Sequence, residues 1–209
     1  MKETRDNLSI ILAVSYVSAA IASNIMSLRM IAPLGIVMDA GTLLYPITFV
    51  LRDELHCRAG LRTCNITINM GVICNVVIFA LFGLVAWLPA DLTTGPQTEF
   101  GQVLMPGVLV VAGSVTGMFV SERIDGYIFE RLYRGGAGSH LKAATLSNLV
   151  SIPIDSALMS GIAFGFTIPL ASVVETCVAN IVIKYVVMAV AVALSEMPRI
   201  RRLHAAAED

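Results

Sequence analysis

Two apolar stretches near the C-terminus, 143–165 (AATLSNLVSIPIDSALMSGIAFG) and 169–196 (PLASVVETCVANIVIKYVVMAVAVALSE), constrain this chain most. Each is long enough to cross a bilayer, since ~20 residues of helix span the ~30 Å hydrocarbon core. Each also carries ionisable residues: Asp155 in the first, Glu175 and Lys184 in the second. An ionised group at membrane depth costs at least ~2.5–3.5 kcal/mol unless a partner or water compensates it. Such residues therefore face a cavity or one another, and the rest of the chain becomes the container around a polar interior.

Composition agrees with a membrane setting. The 209 residues are 56% hydrophobic and only 14% charged, with a mean hydropathy of +0.80; soluble domains carry about 25% charged residues. Six apolar segments give an all-α integral membrane protein with transmembrane helices at about 8–28, 40–60, 65–88, 103–125, 143–165 and 169–196, within a single domain 1–209. The apolar run from Leu8 to Leu28 follows Lys2 and Arg5 as a signal peptide would, but about 21 residues exceed the 7–15 of a signal core, so it reads as a membrane span. Span 2 is unusual. Its run GTLLYPITFVL is short and interrupted by Pro46, which fits equally a transporter helix that breaks and exposes backbone to a cavity and a kinked helix with an amphipathic cytoplasmic end.

Lysine and arginine set the orientation. With both termini cytoplasmic, the inner segments hold twelve of the fourteen basic residues; the outer loops hold only Arg29, and Lys184 lies within span 6. The expected location is a cell's inner, plasma membrane. Net charge near zero and scattered basic residues exclude a nucleic-acid partner. Cys57, Cys64, Cys74 and Cys177 form neither a zinc spacing nor, in reduced spans and cytoplasmic loops, a disulfide framework. No metal and no cofactor is expected. His56, His140 and His204 lie outside the apolar runs, and no Walker, HExxH or dinucleotide motif occurs, so the chain reads as no enzyme and no ATP-driven pump by itself.

Depth and phase select the candidate site. At 1.5 Å per residue Asp155 and Lys184 both lie ~18 Å from the inner ends of their spans, near the midplane, whereas Glu175 lies ~31 Å up, at the outer mouth. Ser147, Asn148, Ser151 and Asp155 share one face of span 5; Thr176, Asn180 and Lys184 share one face of span 6. Small polar residues commonly join helices, but such a role does not require charges.

Four short motifs resemble the VUT family of vitamin-uptake or queuosine precursor transporters. PITFVLRDELHCRAG (46–60) is similar to its span-2 signature through Pro46, Thr48, Phe49, Asp53 and Gly60. VSERIDGYIFERL (120–132), LSNLVSIPIDSALMSGIAFG (146–165) and the Asn180–Lys184 pair resemble its span-4, span-5 and span-6 signatures, in order. Many members place Glu four residues after the span-2 Asp; Cys57 stands there, with His56 beside it, as in a divergent member.

The resemblance implies a fold like the six-helix substrate-binding subunits of energy-coupling-factor importers. It also implies import of 7-cyano-7-deazaguanine or 7-aminomethyl-7-deazaguanine. A guanine-like base offers paired N–H donors that a carboxylate accepts. Asp155 is the choice for that contact, with Asn24, Asn148 and Asn180 for amide readout, Tyr45 or Phe49 for stacking, and Asp53 on the wall formed by span 2. Lys184 pairs with Asp155 or meets a ring carbonyl. The expected partners are a small purine-like substrate and the lipid bilayer, with a homodimer left open. Two alternatives stand beside import: a binding subunit that needs a separate ATPase module, and a non-transporting membrane scaffold.

Overall fold

The structure is a computed structural model that describes residues 2–35, 37–91, 93, 98–104, 108–134 and 140–195. Its helices are α1 Lys2–Met26, α2 Pro46–Trp87, α3 Thr98–Leu104, α4 Val108–Arg134, α5 His140–Phe164 and α6 Leu170–Ser195. Between α1 and α2 a short ribbon pairs β1 (Met30–Ile31) antiparallel with β2 (Met38–Asp39), with Met30 opposite Asp39. A 3-10 turn at Ala40–Leu43 follows at once. The chain is an all-α membrane protein built inside out: charges such as Arg52, Glu122 and Lys184 are buried, while apolar side chains are exposed. On α6, Val174, Val178, Val182, Val186 and Val190 repeat every four residues and are all exposed, one apolar stripe that water would not support.

Among the described residues, four helices are long and apolar enough to cross a membrane: Asn7–Met26, Pro46–Trp87, Leu141–Phe164 and Leu170–Val190. The second cannot cross only once as a straight rod. Its 42 residues would reach about 63 Å, twice the hydrocarbon core. Gly60 breaks it, with φ 78 and ψ 168, a region essentially reserved for glycine. Helix α4 has 27 residues, so it falls short on composition rather than length: Glu122, Arg123 and Asp125 interrupt its apolar run.

Two boundaries differ from the sequence expectation. Span 2 was expected from residue 40, but α2 starts at Pro46, which occupies its first turn. Proline suits that position because it has no N–H to leave unpaired and its φ is already helical. Residues 40–45 are therefore turn rather than α-helix. Span 4 was expected from 103, but α3 ends at Leu104 and α4 starts at Val108. Pro106 and Gly107, which separate them in sequence, lie outside the described residues. So do the basic residues after 195 that entered the orientation argument.

Helix α4 packs most extensively on α5, and α1 on α2. The α4–α5 approach depends on Gly117, where a Cβ would lie 2.9 Å from Asp155 Oδ1 and 3.0 Å from its backbone oxygen. Helix α5 tolerates Pro153 inside it because α6 repairs the lost bond. The missing Pro153 N–H orphans the Leu149 carbonyl, which accepts from the Tyr185 hydroxyl at 2.7 Å.

Polar and apolar layers alternate down the bundle. One level holds Asp155 on α5, Tyr45 on the α2 entry and Ser114 on α4, all lining one crevice. Below it Ala20, Tyr45, Phe49, Met118 and Ile152 form an apolar cluster. A second polar level joins Arg52 and Asp53 to Glu122, Asp125 and Asn148. Phe129, Ala143 and Ala144 close the far side.

Candidate functional site

The crevice forms where the C-terminal end of α1, the 3-10 turn, α4, α5 and α6 converge, and its cavity volume is about 20 Å³. That is room for about one water and far below the ~300–1,000 Å³ usual for small-molecule sites, so a base-sized ligand requires the crevice to open. Its lining is mostly polar: Ser23, Asn24, Ser27, Asp39, Thr42, Tyr45, Ser114, Asp155 and Lys184, with Gly41 and Met159.

Asp155 is the hub. Lys184 Nζ donates to its Oδ2 at 2.6 Å and to Ser156 Oγ at 3.1 Å. The Tyr45 and Ser121 hydroxyls each reach Oδ1 at 3.3 Å. The same ammonium lies 5.1 Å from the centre of the Tyr45 ring, a cation–π distance. The depth estimate from sequence thus coincides with a direct ion pair, both partners buried. Glu175 is exposed, apart from this cluster.

Across the crevice stands Asp39, which falls between spans 1 and 2 in the sequence. It is buried and accepts from Ser27 Oγ (2.7 Å), Thr42 N (3.1 Å), Thr42 Oγ1 (2.7 Å) and Asn180 Nδ2 (3.0 Å). It caps the 3-10 turn, so one carboxylate ties the α1–α2 connection to α6. The signal was an Asp three residues before Thr, ahead of an apolar run: a cap pattern. What hid it was its place outside any expected span centre.

The other expected site residues divide between the two polar levels. Asn180 joins the Asp39 wall. Asn24 lines the crevice, yet its amide donates to Asn75 Oδ1 at 2.7 Å, and Asn75 in turn donates to the Gly71 carbonyl at 2.8 Å. Tyr45 lines the crevice; Phe49 is buried one turn below, edge-on to Tyr45 at 5.4 Å. Asn148 and Asp53 belong to the lower level, where Asn148 Nδ2 donates to Asp53 Oδ2 at 3.0 Å.

That lower level was largely missed. Arg52, 1% exposed, meets Asp53 at 2.6 Å and Glu122 at 3.0 Å, and also pairs with Asp125. Ser151 donates to Asp125 at 2.7 Å. His56, expected outside the apolar runs, is buried beside it, its Nε2 2.7 Å from Glu130 and its ring 4.6 Å from that of Phe129. Glu122 and Asp125 were legible only as part of a motif, because a helix with charges three residues apart looks like a solvated end. Among the described residues no group of His, Cys, Asp and Glu is arranged to hold a metal.

A family described as a putative vitamin uptake transporter matches residues 39–197, over two thirds of the chain. The chain belongs to this transporter family. The transporter's matched region begins at Asp39 and takes in the charged residues of both polar levels, leaving out α1, β1 and the crevice residues Ser23, Asn24 and Ser27. No curated protein and no solved structure matches it, so the likeness to energy-coupling-factor subunits rests on the family resemblance alone. Family and exposed apolar helices together make it a multi-pass membrane transporter with a small-molecule substrate.

Proposed function

We propose that this transporter imports a queuosine precursor, 7-cyano-7-deazaguanine or 7-aminomethyl-7-deazaguanine, across the inner membrane in a single domain of six crossings. In that scheme α2 supplies two crossings, divided at Gly60, and both termini are cytoplasmic. The observation that carries the proposal is the Asp155–Lys184 pair at 2.6 Å on the wall of a small polar crevice. The amidine-like edge of a guanine ring donates two parallel N–H groups, and an ionised carboxylate accepts them in paired fashion. Lys184 pairs with Asp155 at 2.6 Å and stands beside it for the ring carbonyl. Tyr45, already under the Lys184 ammonium, supplies the stacking face. Asn180 and Asn24 line or support the facing wall, while Asn148, Asp53 and Phe49 act from beneath it. The overlap with the four sequence motifs supports this substrate class over an unrelated one.

Uptake of labelled 7-deazaguanine bases into cells expressing the chain tests the proposal. Uptake is expected with the native protein and lost with Asp155→Ala; unchanged uptake in that variant sinks the assigned role. The family description favours a second substrate class, a vitamin. A binding screen with purine bases and vitamins on the purified protein separates the two. Uptake in a host without energy-coupling ATPase modules separates a self-sufficient carrier from a binding subunit, and a ligand-free result across the whole screen favours a scaffold.

A further inference from the structure

Five carboxylates are buried among the described residues, Asp39, Asp53, Glu122, Asp125 and Asp155, against two permanent cations, Arg52 and Lys184. The imbalance is concentrated in the lower level, where three carboxylates share the Arg52 guanidinium. Each uncompensated ion in a low-dielectric interior costs several kcal/mol, so this level calls for added positive charge. A metal ion is a poor candidate because the guanidinium already stands between the carboxylates at 2.6 and 3.0 Å. A proton is the cation that fits.

Geometry selects the carboxylate. Glu122, 0% exposed, gives Oε2 to Arg52 and leaves Oε1 without a hydrogen-bond partner among the described residues. Asp125 Oδ2 also lacks a hydrogen bond among the described residues but is ion-paired with Arg52, and Asp53 and Asp125 accept in addition from Asn148 and Ser151. The groups facing Glu122 come from every side: Tyr16 on α1, Tyr45, Arg52, Asp53 and Cys64 on or entering α2, Asp125 on α4 and Asp155 on α5. Lys184 on α6 reaches the set through Asp155. Tyr16, whose hydroxyl is buried and lacks a well-formed hydrogen bond, stands near Glu122. The residue before Glu122 is Ser121, which donates to Asp155 Oδ1 at 3.3 Å. One turn of α4 therefore touches the crevice and the charge network together.

We propose that Glu122 is the proton site of this transporter, binding and releasing one proton as the crevice is loaded and emptied. The inference rests on the transport reading above. On protonation Glu122 becomes a neutral acid and the four-group network passes from a net charge of −2 to −1. Arg52 keeps Asp53 and Asp125, so its remaining charge is still paired. With the Glu122–Arg52 contact weakened, α4 is left with the Asp125–Arg52 pair as its remaining ionic tie to α2 at this level, which links proton binding to movement of the helix that lines the crevice.

Two measurements on the full chain test this. Infrared titration of the protein in lipid nanodiscs, without any base added, is expected to show a protonated buried carboxyl whose band fades as pH rises. Glu122→Gln is expected to remove that band and Glu122→Asp to move its midpoint. A band that is absent, or unchanged in both variants, overturns the proposal. Second, 7-cyano-7-deazaguanine, which has no titrating amine, is added to proteoliposomes holding a pH-sensitive dye. Uptake by the native protein is expected to carry protons inward. Glu122→Gln is expected to lose the proton signal while labelled base still exchanges across the membrane. Uptake with no proton movement, or a proton signal that survives in Glu122→Gln, overturns it. If the native protein carries no base at all, the substrate assignment fails, and the infrared titration alone decides the proton site.

Discussion

Asp155 and Lys184 illustrate how a buried pair differs from its two halves. Removing one partner strands the other charge in the interior, at a cost of about 3–5 kcal/mol, whereas replacing both is close to neutral. Asp155→Ala should therefore lower thermal stability sharply, and Asp155→Ala with Lys184→Met should recover most of the loss without restoring uptake. Melting curves of the purified single and double variants, set beside uptake, separate the two effects. Asp39 behaves differently because its partners are neutral donors. Its four hydrogen bonds come from Ser27 just past α1, the 3-10 turn and α6. Hydrogen bonds to an ionised group are worth about 1.5–3 kcal/mol each, so Asp39→Ala should loosen the crevice wall. Thermal unfolding should fall by several degrees, with base binding weakened even where Asp155 is intact.

At the scale of elements, glycine and proline decide where helices stop and how closely they approach. Gly60 holds φ 78 and ψ 168 with nothing within 4 Å of its Cβ position, so the obstacle to a side chain there is backbone strain rather than space. Gly60→Ala is expected to cost about 1–3 kcal/mol, read as a lower melting temperature; no change would mean the break does not depend on this residue. Gly117 is the opposite case, with an ordinary φ and no room. A Cβ 2.9 Å from Asp155 Oδ1 must push α4 from α5, and overpacking of this kind costs about 1–3 kcal/mol. Gly117→Ala should reduce uptake more than stability, because the displaced atom is the hub of the crevice. Pro46 and Pro153 are tolerated for specific reasons: one begins a helix, and the other has its orphaned carbonyl capped by Tyr185.

For the whole molecule, the exposed valine stripe of α6 and the buried polar levels are two sides of one requirement. Lipid accepts the stripe, and the bundle interior accepts the charges only where partners surround them. A lysine at Val182, in the middle of that stripe, should cost about 2.5–3.5 kcal/mol of membrane insertion. Membrane-fraction yield of Val182→Lys against Val182→Leu measures it; equal yields would mean that α6 does not face lipid at this point. The alternation of polar and apolar levels down α2, α4 and α5 also explains how one side of the site can stay sealed. The Phe49, Met118 and Ile152 layer lies between crevice and charge network, and Ser121 and Glu122, adjacent on α4, bridge it.

The sequence by itself determined the membrane class, the helical spans near the C-terminus and the polar faces of α5 and α6. These follow from local periodicity and from the cost of charge in lipid, both properties of a single segment. It also brought Asp155 level with Lys184, because depth along a helix is a count of residues. Tertiary structure decided which polar residues meet. Asp39 and Asn180, distant in the chain, become neighbours only when the ribbon and 3-10 turn fold beneath α6; Asn148 and Asp53 leave the crevice for the lower network because α5 and α2 descend together. Arg52 among Glu122 and Asp125 was the least legible part. A charge at the end of an apolar run looks solvent-facing until neighbouring helices are seen to enclose it, and enclosure is not a property of any one segment.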